Sequence, residues 1–483
     1  MSSARAVTPA AGDRIDECLS VRDGRLFVEG CDAVELARRF GTPLYVVSEN
    51  HLRRNARRIT EAFASRWDEG PVRVLASIKA NTTLATRVVL TQEGLGCDVF
   101  GPGELEAAMR TGVDPSLVSV NGTAKDASLL ERAVAYGAKV TLDNVAEIEA
   151  VRAIARRLGR RATVRFRLRP DYAALTQPSE FADDDVPIAV FARTYKPGIP
   201  TADLIEAGPA ALVADELDVS GVMAHLGRHH HDPDVWRGMV EAVVATLATL
   251  SESWGGWMPR EIDLGGGYAS PRDPTGRALR RAAGRPGRGP SIEEYADAVT
   301  TALRDALRSA GLAPEGLAPE GLGPEGLALE VEPGRSLYAD TGVHLTTVRN
   351  VKREAGRRPE RWIETDTTEM FLADLLIEHD VFPVVVASRA DAEGGTQADV
   401  VGISCGFDVL ATGLRLPELA PGDVIAFLDT GAYQDATSSN FNALPRPATA
   451  LVCDDAAEIV KRAETVDDVF RRDVVPPRLG GER

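Results

Sequence analysis

The sequence is short of positive charge, of aromatic residues and of cysteine. Its 55 Lys and Arg stand against 72 Asp and Glu, a formal charge of −17. A chain that acidic is not built to hold nucleic acid or to lie on an anionic membrane, so an anionic ligand needs a local positive pocket. The five cysteines, at positions 18, 31, 97, 405 and 453, show no C-x-x-C spacing, which argues against a structural zinc site and a disulfide framework. No stretch approaches the roughly 18 unbroken apolar residues of a membrane helix. The opening MSSARAVTPAAGDRIDE lacks the apolar segment of a secretion signal. A reduced, cytoplasmic setting is therefore expected, without nucleic-acid or membrane partners.

What is present is ample core-forming material. With 44% apolar residues over 483 positions, two or three domains are expected. From Val72 onward short apolar strands alternate with helical spacing. The predicted strands are Arg73–Ile78, Cys97–Phe100, Leu117–Val120, Lys139–Leu142, Thr163–Leu168, Val219–Ala224, Glu261–Leu264 and Leu327–Val331. Eight β/α repeats are what a closed parallel barrel requires, so the fold class is α/β, a (β/α)8 barrel. After Arg335 the pattern turns to strands separated by turns, such as Pro421-Gly422-Asp423, and predicts a second, mostly β, barrel-like domain. The expected division is an N-terminal segment 1–41 packing with the β domain, a barrel over 42–335 and the β domain over 336–483. A basic stretch, 271–290, and a repeat, 311–326 (GLAPEGLAPEGLGPEG), interrupt the barrel pattern; the repeat reads as a solvated linker.

Polar residues gather where these strands end: Lys79, Asp98, Asn121, Asp143, Arg167, His225, Gly265 to Gly267, and Glu332. In such barrels the strand C-termini form the active site. Lys79 closes the apolar run VRVLASI; near apolar neighbours a lysine's pKa falls and its amine can attack an aldehyde. The glycines after EIDL can close backbone N–H groups around a phosphate. Arg335 of Glu332-Pro333-Gly334-Arg335 can add a bidentate contact, and Glu332 can hold a ring nitrogen protonated. An aldehyde-accepting lysine, a phosphate cradle and a carboxylate for a pyridinium describe pyridoxal 5'-phosphate binding. Asn121 and Asp143 are expected only to cap loops. The histidines of the run RHHH, His229 to His231, diverge in direction and give poor three-ligand geometry, so no metal site is expected.

The segments SIKAN (Lys79), GCDVFGPGELEAAMRTGVDP, RFRLRP (Arg167), MAHLG (His225), IDLGGGY, LEVEPGR, SCGFD (Cys405, Asp408) and DTGAYQDATSSNFNALPRP occur in that order over residues 42–452. Together they resemble the fold-type III pyridoxal-phosphate enzymes of the diaminopimelate and ornithine decarboxylase group. The resemblance implies that Lys79 joins the cofactor aldehyde as a Schiff base, that His225 stacks on its ring and that Glu332 meets the ring nitrogen. It gives the phosphate to Gly265, Gly266, Gly267, Arg335 and Tyr433, and makes Asp98 and Arg167 supporting residues. Cys405 matches the cysteine that serves the partner subunit's site, so a homodimer with shared active sites is implied.

The departures bear on substrate. Arg228 stands where the family has a phosphate-binding serine, and Gly406 where diaminopimelate decarboxylases have a glutamate. The stretch Phe371 to Leu376 holds no arginine for a substrate carboxylate. Diaminopimelate is therefore not the expected substrate. Asp374, Glu378 and Asp408 are acidic candidates for a substrate amine, and Arg228 and His229 border the expected site. The expected activity is decarboxylation of an amino acid or an amino-acid-derived metabolite. The alternatives are a racemase or epimerase on the same cofactor, disfavoured by Glu332 at the ring nitrogen, and a non-catalytic cofactor-binding relative.

Overall fold

A computed structural model describes residues 17–177, 186–228, 231–270, 289–312, 326–356, 361–378 and 381–480. Among them, eight strands close into one parallel barrel: β1 (Val72–Ser77), β2 (Gly96–Val99), β3 (Val118–Val120), β4 (Lys139–Leu142), β5 (Ala162–Arg167), β6 (Leu217–Met223), β7 (Glu261–Asp263) and β8 (Ala328–Val331). Each pairs in parallel with the next, and closure is made where β8 meets β1, with Val331 opposite Val74. All eight lie within two residues of the predicted strands.

The crossovers are helical and carry their own stop and start signals. Asp126 accepts a hydrogen bond from the Leu129 N–H at 2.7 Å to open Ala127–Tyr136, and Gly137 ends that helix in the left-handed region. Ser291 and Glu294 form a reciprocal capping box at the head of Ile292–Ser309. Their apolar faces cover the strands, as a parallel sheet requires.

The barrel interior is unusual in being charged. Side chains two apart on a strand share a face, and inward positions on β1, β4, β5, β7 and β8 carry Arg73, Lys139, Arg165, Glu261, Asp263 and Glu330. Lys139 Nζ lies 2.6 Å from Glu261 and 2.7 Å from Glu330. Arg73 reaches the same two carboxylates at 3.2 Å. A cavity of about 450 Å³ opens beside this group at the N-terminal mouth of the barrel, lined by Arg73, Lys139, Arg260 and Glu261 among others. That face of a barrel serves stability, not chemistry.

The chain divides into two compact units, one running from Arg53 to Tyr338 and the other joining the residues up to Leu52 with Ala339 onward. The second unit contains a nine-stranded sheet in which Gly342–Arg353 is the longest strand, paired with Leu44–Ser48, Arg361–Thr365 and Val424–Leu428. The strand Leu44–Ser48 thus belongs to the β unit, so the boundaries fall near 52 and 338, not at 41 and 335. Its alternate residues Leu44 and Val46 pack with Val343, Leu345 and Ala426. The N-terminal strands Leu19–Arg22, Arg25–Val28 and Cys31–Asp32 form a small sheet of their own and share that core. The linker residues 313–325 and the basic stretch 271–288 lie outside the described residues. No helix among the described residues is long and apolar enough to cross a membrane.

Candidate active site

Lys79 sits one turn beyond β1, in the short 3-10 segment Ile78–Ala80. The turn lifts its side chain onto the C-terminal rim, where it is half-exposed. Its Nζ donates to Ser77 Oγ at 2.7 Å and to Asp98 Oδ2 at 2.8 Å, and the Ser77 hydroxyl donates to the same Oδ2 at 2.7 Å. Nζ also lies 5.4 Å from the centre of the Phe100 ring, an ordinary cation–π separation. Burial alone would push the Asp98 carboxyl up; the Lys79 ammonium and the hydrogen bonds from Lys79, Ser77 and Asn121 outweigh it and hold the group below its ordinary value.

Asn121 is more than a loop cap. Its amide nitrogen donates to Asp98 Oδ1 at 2.6 Å and to Glu332 Oε1 at 2.8 Å. One side chain therefore ties the lysine's counter-ion to the carboxylate after β8. Glu332 is buried, and burial, followed by the charges of Asp263 and Asp98, raises its pKa well above the ordinary value despite Arg165 and Lys79.

Arg165 is the residue that sequence reasoning passed over. Fully buried on β5, it reaches Asp263 Oδ2 and Glu330 Oε2 at 2.6 Å and Glu332 Oε1 at 3.4 Å, and it hydrogen-bonds Ser119 and Thr141. One guanidinium thus faces three carboxylates. Glu330 has Lys139 and Arg73 as further cations and is held down at about 2, against its burial. For Asp263 and Glu332, burial and neighbouring carboxylates outweigh the cations, Arg165 with Lys139 for the first and Arg165 with Lys79 for the second, and both are pushed up. The available signal was period-two alternation: Arg165 and Arg167 in RFR share one face, as do Glu330 and Glu332 in EVE.

Arg167 is buried as well, with Nε 3.8 Å from Asp143 and, among the described residues, no hydrogen-bond partner for Nη1. It lines a cavity of about 270 Å³ with His225, Tyr172, Arg193 and Tyr195 on the same rim. Asp143 accepts the Gly198 N–H at 3.1 Å, a loop-holding bond.

His225 follows β6, and its Nδ1 accepts the Gly266 N–H at 3.3 Å. The glycine triplet lies between this loop and the one after β8. A Cβ at Gly265 would come within 2.5 Å of the His225 ring, one at Gly266 within 1.9 Å of the Glu332 carbonyl oxygen, and one at Gly267 within 2.1 Å of the Gly227 carbonyl oxygen. No side chain fits at any of the three. Arg335 is buried and opens the short helix Arg335–Tyr338. Arg228 is exposed, and His229 and His230 lie outside the described residues.

The remaining candidates belong to the β unit. Cys405 is exposed, whereas Cys97, beside Asp98, is buried and its thiol is pushed up to about 12 by burial. Tyr433 has a left-handed backbone (φ 67°) at the head of Gln434–Thr437. Asp408 turns both oxygens onto its own surroundings, accepting from Thr368 Oγ1 at 2.9 Å, Glu369 N at 2.7 Å and Ser404 N at 2.5 Å. Asp374 accepts from Gln434 Nε2 at 2.8 Å. Glu378 is buried. Asp374 and Asp408 thus sit in structural hydrogen bonds.

On the barrel rim, then, an amine, a chain of hydrogen bonds ending in a buried carboxyl whose pKa is raised, and a side-chain-free turn lie side by side. The complementary molecule has an aldehyde, a basic ring nitrogen and a phosphate. That combination defines a fold-type III pyridoxal-phosphate enzyme. Comparison with known proteins makes the assignment specific. Residues 49–339 match the family model described as pyridoxal-dependent decarboxylase, pyridoxal binding domain. The diaminopimelate decarboxylase of Archaeoglobus fulgidus is 30% identical over 461 residues, covering 95% of this chain and 99% of the relative. That of Methanothermobacter thermautotrophicus is also 30% identical, over 94% and 97% of the two chains. The crystal structure of the M. jannaschii diaminopimelate decarboxylase superposes with a TM-score of 0.82 at 26% identity, covering 96% of this chain and 99% of that one. The chain belongs to the pyridoxal-dependent decarboxylases, and its cofactor is pyridoxal phosphate.

Proposed function

We propose that this enzyme removes the α-carboxylate of an amino acid, or of a metabolite that keeps an amino acid's α-amino and α-carboxyl groups, at the rim bearing Lys79. The observation that carries the reading is the continuous hydrogen-bonded path Lys79–Asp98–Asn121–Glu332. Pyridoxal phosphate, once bound, supplies an electron sink for the pair released when a bond to Cα breaks. The chain supplies the rest. Lys79 is the amine for the cofactor aldehyde, and Asp98 orients it as counter-ion. Glu332 would meet the ring nitrogen, and Asn121 and Arg165 fix its carboxyl. Gly265 to Gly267 and Arg335 would hold the phosphate, His225 would pack on the ring face, and Arg167 would support it.

The chain works as a homodimer, and the partner subunit's Cys405 delivers the proton that replaces the lost carboxylate at Cα. Support comes from exposed apolar side chains near Cys405: on its own loop Phe407 is 98% exposed and Ile403 is exposed, as is Phe441, next in the chain to the Asn442 that contacts Cys405. Such a patch on a soluble surface marks an interface. The racemase alternative has no support, because the matched family and the relatives are decarboxylases.

The M. jannaschii relative has been crystallised with L-lysine. For the present chain we place the substrate's far end outside the diaminopimelate pattern, because Phe371 to Leu376 offers no arginine to a second carboxylate. The test is carbon dioxide release from a panel of amino acids including meso-diaminopimelate, with absorbance spectra of wild type and Lys79→Ala. A cofactor band that disappears in Lys79→Ala, with release from an amino acid of the panel, is expected. Solvent deuterium entering Cα with the carboxylate retained would overturn decarboxylation. Release that is fastest from meso-diaminopimelate would overturn the substrate assignment alone.

A further inference from the structure

The segment Gly402 to Asp408 is a loop closed on itself. Its ends meet through the Gly402 N–H, which donates to the Asp408 carbonyl at 2.8 Å, and through Asp408 Oδ2, which accepts the Ser404 N–H. Glu369 Oε1 accepts the Asp408 N–H at 3.3 Å from the neighbouring segment. The loop's two carboxylate neighbours, Asp408 and Glu369, are thus engaged with its backbone. Cys405 stands exposed at the loop's outer end.

A residue 37 positions away reaches the same cysteine twice. Asn442 lies in the 3-10 segment Phe441–Ala443 with a left-handed backbone, φ 56° and ψ 21°. Its Oδ1 accepts the Cys405 N–H at 2.9 Å, and its Nδ2 donates to Cys405 Sγ at 3.3 Å. The orientation of the amide is fixed by chemistry: a backbone N–H can only donate, so the oxygen must face it and the NH2 must face the sulfur. An N–H donor aimed at sulfur holds the side chain in one rotamer and fixes where its nucleophilic atom points. Left-handed backbone is costly for most residues, but asparagine and aspartate adopt it readily.

We infer that Asn442 is the positioning residue of the Cys405 thiol, tethering its main chain with the amide oxygen and aiming its sulfur with the amide nitrogen. The consequence for catalysis rests on the reading of Cys405 as proton donor; the contact itself does not.

Two variants separate aiming from folding. Asn442→Asp keeps the backbone tolerance and the acceptor for the Cys405 N–H, but turns a carboxylate oxygen to the sulfur in place of the donor. Asn442→Gly tolerates the same φ and removes both contacts. The readout is the rate of iodoacetamide labelling of Cys405 in the cofactor-loaded full chain near neutral pH, followed by peptide mass spectrometry, with partly exposed Cys453 as internal control and the melting temperature as a fold check. Labelling of Cys405 is expected to slow about tenfold in Asn442→Asp, where a carboxylate oxygen replaces the donor at the nucleophilic sulfur, and also to slow in Asn442→Gly, with Cys453 unchanged. Wild-type labelling of Cys405 in both variants would overturn the inference. Amine formation at the wild-type rate by Cys405→Ala would overturn the proton-donor reading alone and leave the contact standing.

Discussion

Glu332 and Arg165 show how two buried residues set the electrostatics of the whole rim. The native pKa of Glu332 is raised above its ordinary 4.5, so the cofactor-free native state keeps a proton that the unfolded chain has already released. By linkage its contribution to stability is complete below the unfolded pKa and is lost as pH rises through the native one, by at most about 1.4 kcal/mol per pH unit for one proton. Glu332→Gln removes that loss. Cofactor-free Glu332→Gln is therefore expected to melt above wild type by a margin that widens as pH rises above the ordinary carboxylate range, in thermal scans followed by circular dichroism. A constant margin would mean that Glu332 is ionised throughout. Arg165→Met has the opposite sign. It leaves Asp263 short of its cation, and breaking such a buried set costs about 3–5 kcal/mol, to be read in urea unfolding of the cofactor-free protein.

At the scale of the element, the loop after β7 is defined by what it excludes. An alanine Cβ at Gly266 would sit 1.9 Å from the Glu332 carbonyl oxygen, so Gly266→Ala must displace the loop after β8. A loss of about 1–3 kcal/mol is expected from overpacking of this kind, together with weaker cofactor retention in dialysis followed by absorbance. Retention equal to wild type would remove the triplet from the phosphate site. The strands of the barrel were legible because a parallel strand buried on both faces reads as a short apolar run, and the rim residues because they interrupt it. Two things were not legible. Leu44–Ser48 is buried along its whole length, so its pattern fits either unit, and only its hydrogen bonding to Gly342–Arg353 and to Ala448–Cys453 assigns it to the β sheet. Asn121 ends β3 as an ordinary cap would; its role depends on Asp98 and Glu332 arriving from β2 and from beyond β8, a distance in sequence that no local pattern records.

For the whole molecule, the proposed dimer can be tested at the exposed Phe407. Phe407→Glu is expected to shift the protein from dimer to monomer in sedimentation and to abolish carbon dioxide release, while the Lys79-dependent absorbance remains. A fully active monomer would overturn the shared site. A different whole-molecule property follows from the ion pairs filling the barrel. Hydrocarbon released into water on unfolding raises the heat capacity, whereas polar surface lowers it. A barrel cored by Arg73, Lys139, Arg165, Glu261, Asp263 and Glu330 releases less of the first and more of the second than one cored by aliphatic layers. Its unfolding heat capacity per residue therefore falls below the usual ~12–15 cal/mol/K, and its stability curve is broad, changing slowly with temperature toward both cold and heat.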